Sequence, residues 1–252
     1  MDMLSIDFLL IASAVALLAG VVKGVVGFGM PMILMSGIST FYSPELALAA
    51  LILPTLLSNG MQTFRRGASQ AAKVVWNFRL YIGVMLILMV IAAQWTTRIS
   101  EAAFLLIVGI PIVLLSIVQI LGWRPVIDPA RRVLVEIPVA ILAGISGGLS
   151  GIWGPPTTLF LTAIQTPKAD QLQIQGVIYG MGSVILFLAH LRSGILNAQT
   201  LALSAIVCVP AFVGLVIGFR LHDRMDQNKF RTATLIVLVI AGLNLIRRGL
   251  MA

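Results

Sequence analysis

Apolar stretches follow one another along this chain from Phe8 to Ile246 with little between them. Eight approach the roughly 20 residues that a bilayer-spanning helix needs: 8–26, 44–64, 80–96, 102–121, 133–150, 172–191, 198–219 and 231–246. Inside lipid a backbone must satisfy its own hydrogen bonds, and at these lengths helices do so. Charged residues make up 10% of the chain, against about 25% in a soluble domain. A multi-pass, all-α membrane protein is therefore expected, with no water-soluble domain.

Two shorter apolar stretches, 31–42 and 155–165, each follow a glycine-rich motif. The first motif runs Gly20, Lys23, Gly24, Gly27, Gly29, Pro31; the second runs Gly144, Gly147, Gly148, Gly151, Gly154, Pro155. Gly20, Gly24, Gly27 and Pro31 align without a gap on Gly144, Gly148, Gly151 and Pro155 (144 minus 20 gives an offset of 124). Small residues four apart let a neighbouring helix come close. The Gly–Pro ends do more: proline disrupts a continuing helix and suits the first turn of a new one. A helix is predicted to end near Gly27 and near Gly151, and another to start near Pro31 and Pro155. Further echoes are Phe64-Arg65-Arg66-Gly67 with Leu191-Arg192-Ser193-Gly194, and Thr97-Arg98 with Asp223-Arg224. The chain divides into a first repeat (1–122), a cytoplasmic linker (123–132) and a second repeat (133–252).

Twelve helical residues reach only about 18 Å, short of a full crossing. Each short stretch either re-enters or completes a crossing with the extended motif. With ten crossings, one side holds Arg65, Arg66, Lys73, Arg79, Arg124, Arg131, Arg132, Lys168, Arg220, Arg224, Lys229 and Arg231, and the other holds Arg98, Arg192, Arg247 and Arg248. That split of twelve to four obeys the positive-inside rule better than the ten to six of an eight-crossing chain. Five plus five inverted segments (four long and one short in each repeat) with both termini outside are expected. The N-terminus lacks a positive leader region, so the first span is read as retained.

Broken helices at matching positions of two hydrophobic halves point to a transporter binding site. Non-helical backbone at membrane depth belongs where it lines a cavity or is buried in protein. The free N–H groups that open the short helices suit an anion. Lys23 is a basic residue inside an apolar span, where it costs about 2.5–3.5 kcal/mol; it either pairs with a carboxylate such as Glu45 or Glu136, snorkels to the surface, or meets a bound anion. Thr55, Ser58, Asn59 and Gln62 form one polar face, and Gln171, Gln175, Tyr179 and Ser183 another. These serve as donors along a hydrated path or as interhelical hydrogen bonds. Trp153 walls the site or simply packs. The candidate substrate-binding set is Lys23, Gly24, Gly27, Gly29, Pro31, Asn59, Gln62, Gly148, Gly151, Trp153, Gly154, Pro155, Gln175 and Tyr179.

The net charge of +8 is read as membrane orientation, with no nucleic-acid partner. No catalytic residues, cofactor or metal are expected: the chain lacks a Walker-A loop and a His/Cys/Glu cluster, Ser146 and Ser150 have no nearby His–Asp partner in sequence, and Cys208 is a lone cysteine.

The paired motif, the repeat and the absence of large loops together resemble the sulfite exporter TauE/SafE family across essentially the whole chain. That resemblance implies a multi-pass secondary transporter in the bacterial cell inner membrane, carrying a small anion such as sulfite, sulfoacetate or another organosulfonate. An anion channel is the alternative. The lipid bilayer is the other partner, and a homo-oligomer is compatible.

Overall fold

The computed structural model describes residues 6–94, 101–122, 127–128, 131–150, 152–192 and 194–251. Gly151 lies outside them. The described residues hold eleven helices and no strand: α1 (Ile6–Val26), α2 (Met30–Ser39), α3 (Pro44–Phe64), α4 (Ala68–Asn77), α5 (Arg79–Gln94), α6 (Glu101–Ile120), α7 (Arg132–Ser150), α8 (Gly154–Ala163), α9 (Lys168–Arg192), α10 (Ala198–Arg224) and α11 (Gln227–Met251). Within α1, α3, α9, α10 and α11 lie five stretches long and apolar enough, by length and composition, to cross a membrane. Both expected breaks are present: α1 ends at Val26 and α2 starts at Met30, while α7 ends at Ser150 and α8 starts at Gly154.

Local chemistry explains several boundaries. Ser43 accepts the Leu46 N–H with Pro44 at the first helical position, which starts α3. Asn197 and Thr200 form a reciprocal capping box at the start of α10. Gly27 and Gly29 hold φ of 90° and 95°, a region costly for residues with a Cβ.

One helix was not anticipated. The loop expected between the spans at 44–64 and 80–96 contains α4, bent 77° from α5. Gly67, at φ 88°, precedes it. Ala71 faces inward, while Trp76 is 68% exposed with the Arg79 guanidinium 4.5 Å above its ring. An apolar and basic exposed face of this kind suits the membrane surface.

Polarity is arranged inside out. Lys23, Thr55, Asn59, Gln62, Gln175 and Ser183 are buried, while Leu10, Leu18, Ile87, Leu114, Val209 and Ile240 are exposed. That pattern is costly in water and expected in lipid. Each long helix finds its main partner in the other half of the sequence: α1 with α10, α5 with α7, α3 with α9 and α6 with α11. Glycines set the closest approach. A Cβ on Gly20 would lie 2.1 Å from the Ala211 carbonyl oxygen, and one on Gly218 would lie 2.3 Å from that of Val21. On the other pair, a Cβ on Gly144 would lie 2.6 Å from the Met85 carbonyl oxygen. Two apolar cores result. One gathers α1, α2, α3 and α10 around Phe8, Leu34, Ile52 and Leu203. The other gathers α5 to α9 and α11 around Tyr81, Met85, Phe160 and Leu238.

Polar contacts collect helix ends onto shared faces. Arg65 pairs with Asp223 at 2.6 Å, and Arg66 pairs with Asp170. Arg231 donates to Gln119 at 3.0 Å, and Lys168 donates to the His222 carbonyl at 3.1 Å. On another face Asn244 donates to Ser36 at 3.1 Å.

Candidate functional site

The two breaks meet. One cavity is lined by Lys23, Phe28, Gly29, Pro31 and Met32 from the first motif and by Ile152, Trp153, Gly154 and Pro155 from the second; α3 adds Thr55 and Asn59, and α9 adds Tyr179. A Cβ on Gly154 would stand 3.6 Å from that of Phe28, so the two motifs lie one side chain's width apart. Its lining residues Phe28, Met32, Ile152, Trp153 and Tyr179 all belong to or pack against the core built on α5 to α9 and α11. Its free space is about 30 Å³, roughly enough for two water molecules.

Lys23 sits in the last turn of α1, the negative end of that helix dipole, which favours a cation. It is 1% exposed, so it does not snorkel. Its Nζ donates to Asn59 Oδ1. Asn59 Nδ2 in turn donates to Ser183 Oγ at 3.2 Å, a contact between positions 124 apart. Among the described residues no carboxylate lies within ion-pair distance of Nζ. Glu136 is engaged by Arg132 at 2.9 Å, and the Glu45 side chain falls outside the described set. An ammonium has three donors, and Asn59 takes one.

Gln62 acts on the break itself. Its Nε2 donates to the carbonyls of Lys23 (3.4 Å) and Gly27 (3.2 Å); the Lys23 carbonyl also accepts the Gly27 N–H at 2.7 Å, so Gln62 reinforces the last helical bond of α1 and reaches the carbonyl just beyond it. Gln175 Nε2 donates to Thr158 Oγ1 at 3.0 Å. Its Oε1 occupies the space a Cβ on Gly27 would need, at 1.7 Å. Tyr179 Oη contacts Thr158 Oγ1 and the Gly154 carbonyl, both at 2.9 Å. Thr55 Oγ1, Gln62 Oε1 and Gln175 Oε1 are buried with no hydrogen-bond partner among the described residues. An orphaned buried polar atom is costly unless something supplies its partner.

Of the fourteen sequence-derived positions, Lys23, Gly29, Pro31, Asn59, Trp153, Gly154, Pro155 and Tyr179 line the cavity. Gln62, Gln175 and Gly27 form the layer behind it. Gly24 faces α10, where its Cβ would lie 2.7 Å from the Gly218 Cα; its work is packing. Gly148 lies on α7 and outside the lining, and Gly151 is outside the described residues. The sequence reading missed Phe28, Met32 and Ile152 as lining residues, since apolar residues carry no signal in an apolar span. Thr55 had been noted only as part of a polar face.

Helices packed inside out, with two broken segments converging on a buried lysine, define a multi-pass membrane protein with a built polar centre. The chain belongs to the sulfite exporter TauE/SafE family, whose model matches residues 12–245. No curated protein and no solved structure matches the chain.

Proposed function

We propose that this protein is a secondary transporter that moves a small oxyanion, sulfite or an organosulfonate such as sulfoacetate, across the bacterial inner membrane by alternating access. The observation that carries this reading is the convergence of both helix breaks on Lys23 in one cavity. The ammonium supplies charge, and Asn59, Thr55 and Tyr179 supply oriented polar groups. The N-terminal ends of α2 and α8 add partial positive charge where a negative solute would lie.

The same reading takes the fold as two inverted repeats, residues 1–122 and 133–252, joined by a cytoplasmic linker. The reciprocal pairings support it: α1–α10 is matched by α7–α5, while α3–α9 and α6–α11 each pair equivalent helices. Gly67 and Gly194, echo positions in sequence, both have positive φ. The Arg65–Asp223, Arg66–Asp170 and Arg231–Gln119 contacts join ends that an eight-crossing chain puts on opposite sides. Ten crossings bring them to one side, the basic cytoplasmic one.

A cavity of about 30 Å³ is too small for the sulfur and three oxygens of sulfite at roughly 10–15 Å³ per water-sized group. Transport therefore requires the cavity to widen, which suits alternating access better than a standing open pore. Because the partners of each long helix lie in the opposite half, the moving bodies are the two core-forming bundles rather than the two sequence halves. Purified protein in liposomes tests the proposal: saturable uptake of labelled sulfite that stops with Lys23→Met supports it. Ohmic single-channel currents would replace the carrier with a channel, and no sulfite or sulfonate flux at all would remove the function.

A further inference from the structure

A second and larger cavity opens at the face that carries Lys168, Lys229 and Arg231, with a volume of about 400 Å³. Thr162, Thr166 and Gln171 form one wall, and Gln227, Asn228 and Arg231 form the other. Gln171 is 2% exposed, and its Nε2, a pure donor, is without a hydrogen-bond partner among the described residues. The nearest carboxylates in sequence, Asp170 and Asp226, are already engaged: Asp170 pairs with Arg66, and Asp226 accepts the Lys229 N–H at 2.8 Å and faces the Lys229 ammonium at 3.4 Å. The lining therefore offers amide donors, hydroxyls, one guanidinium and no acid.

A polar stripe leads from this cavity toward the central one. On α9, Gln171, Gln175 and Tyr179 follow one another at four-residue spacing, so they share a face over about 12 Å. All three are buried. Opposite them α8 places Thr158 and Thr162 one turn apart, with Thr166 in the turn beyond the end of the helix, all three buried. Gln175 and Tyr179 bond to Thr158 across the gap, and Thr162 Oγ1 donates to the Thr158 carbonyl at 2.9 Å. Gln171 and Thr162 line the outer cavity, and Tyr179 lines the central one.

We infer that the outer cavity is an oxyanion-binding antechamber on the cytoplasmic side, and that the Thr/Gln/Tyr stripe conducts the anion from it to the central cavity. The path rests on the transport reading above; the antechamber itself rests on its own lining. An oxyanion suits the pocket because its oxygens accept from amide N–H groups such as the unpartnered Gln171 Nε2, and the Arg231 guanidinium supplies positive charge. A phospholipid phosphate shares that chemistry, so the test separates the two sources.

The test uses Asn228→Cys in a Cys208→Ala background, since Asn228 is exposed at the cavity rim. The protein is placed in phosphatidylcholine nanodiscs, and the new thiol is titrated with a sulfonate-bearing methanethiosulfonate and with a neutral one of similar size. The antechamber predicts severalfold faster reaction with the sulfonate reagent, and protection by millimolar sulfate or methanesulfonate. Adding Gln171→Leu should abolish the protection, whereas adding Lys23→Met should leave it intact. Equal rates and no protection would overturn the inference. So would protection that arises only when phosphatidylglycerol is included, which assigns the pocket to a lipid headgroup. Protection lost with Lys23→Met as well would overturn it too, because the central cavity would then be the only anion site. Intact protection with failed sulfite transport would instead sink the transport reading and spare the antechamber.

Discussion

Replacing Lys23 by methionine separates function from stability in a way a structural lysine could not. A monovalent anion about 4 Å from Nζ gains about 4 kcal/mol at an effective dielectric of 20, on the order of a thousandfold in affinity. Folding feels two opposing changes. Removing a lysine from the bilayer interior relieves about 2.5–3.5 kcal/mol, while leaving Asn59 Oδ1 without the donor it now has costs about 1–3 kcal/mol. The two nearly cancel, so Tm should move by no more than about 4 °C. Methionine matches the stem in volume and leaves no large void. The assays are thermal unfolding in nanodiscs and concentration-dependent sulfite uptake into liposomes. Near-wild-type Tm with the half-saturating concentration raised by orders of magnitude is the expected pair. A clearly lowered Tm with half-saturation unchanged would refute the reasoning, because Lys23 would then be holding α1 to α3 and touching no anion.

Other outcomes follow from the glycines and the topology. Gly27→Ala meets both a positive φ and Gln175 Oε1, whereas Gly29→Ala meets the φ alone, with its nearest neighbour at 3.6 Å; Tm should fall further for Gly27→Ala, by at least the roughly 1–2 kcal/mol of a left-handed residue. Gly218→Leu should abolish monodisperse folded protein in size-exclusion chromatography, since even a Cβ lies 2.3 Å from the Val21 carbonyl oxygen. Gly60→Ala, with nothing within 4 Å, should raise unfolding free energy by roughly 0.5–1 kcal/mol. Single cysteines at Lys73 and Arg224 should label only from the cytoplasm, and at Thr40 and Arg247 only from outside, in whole-cell thiol labelling.

Much of the fold was legible because lipid removes alternatives. A helix within each of the eight long apolar stretches, two short helices and both breaks could be placed from hydropathy and Gly–Pro positions, and five of the eight are long and apolar enough to cross a membrane; the 44–64 stretch coincides with α3 in both bounds. The α4 helix was hidden by the same method. Its ten residues mix alanines, Val74, Val75 and Trp76 with Ser69, Gln70, Lys73 and Asn77, so a search for continuous apolar runs passes over an amphipathic helix. The helix ends also overran expectation, as in α10, which continues to Arg224, because helices extend beyond the hydrocarbon into the headgroup region.

The site was legible in its polar members and opaque in its depth order. Lys23 and Asn59 stood out because each is costly in lipid. That Gln62 closes the end of α1 while Asn59 holds the ammonium depends on which face of α3 turns toward α1, and packing sets that rotation. Gly24 and Gly29 share one motif, yet one packs against α10 and the other lines the cavity. Sequence spacing could not separate them, because the helix ends between the two.

The account stands on a negative solute seated between the two breaks, so its most direct measurement is a structure solved with selenite, whose anomalous signal marks the ion. The account predicts a peak within hydrogen-bonding distance of Lys23 Nζ, flanked by Gly29 and Gly154, in a cavity widened beyond its present 30 Å³. Saturating selenite that binds elsewhere while the space beside Lys23 holds only water would contradict it.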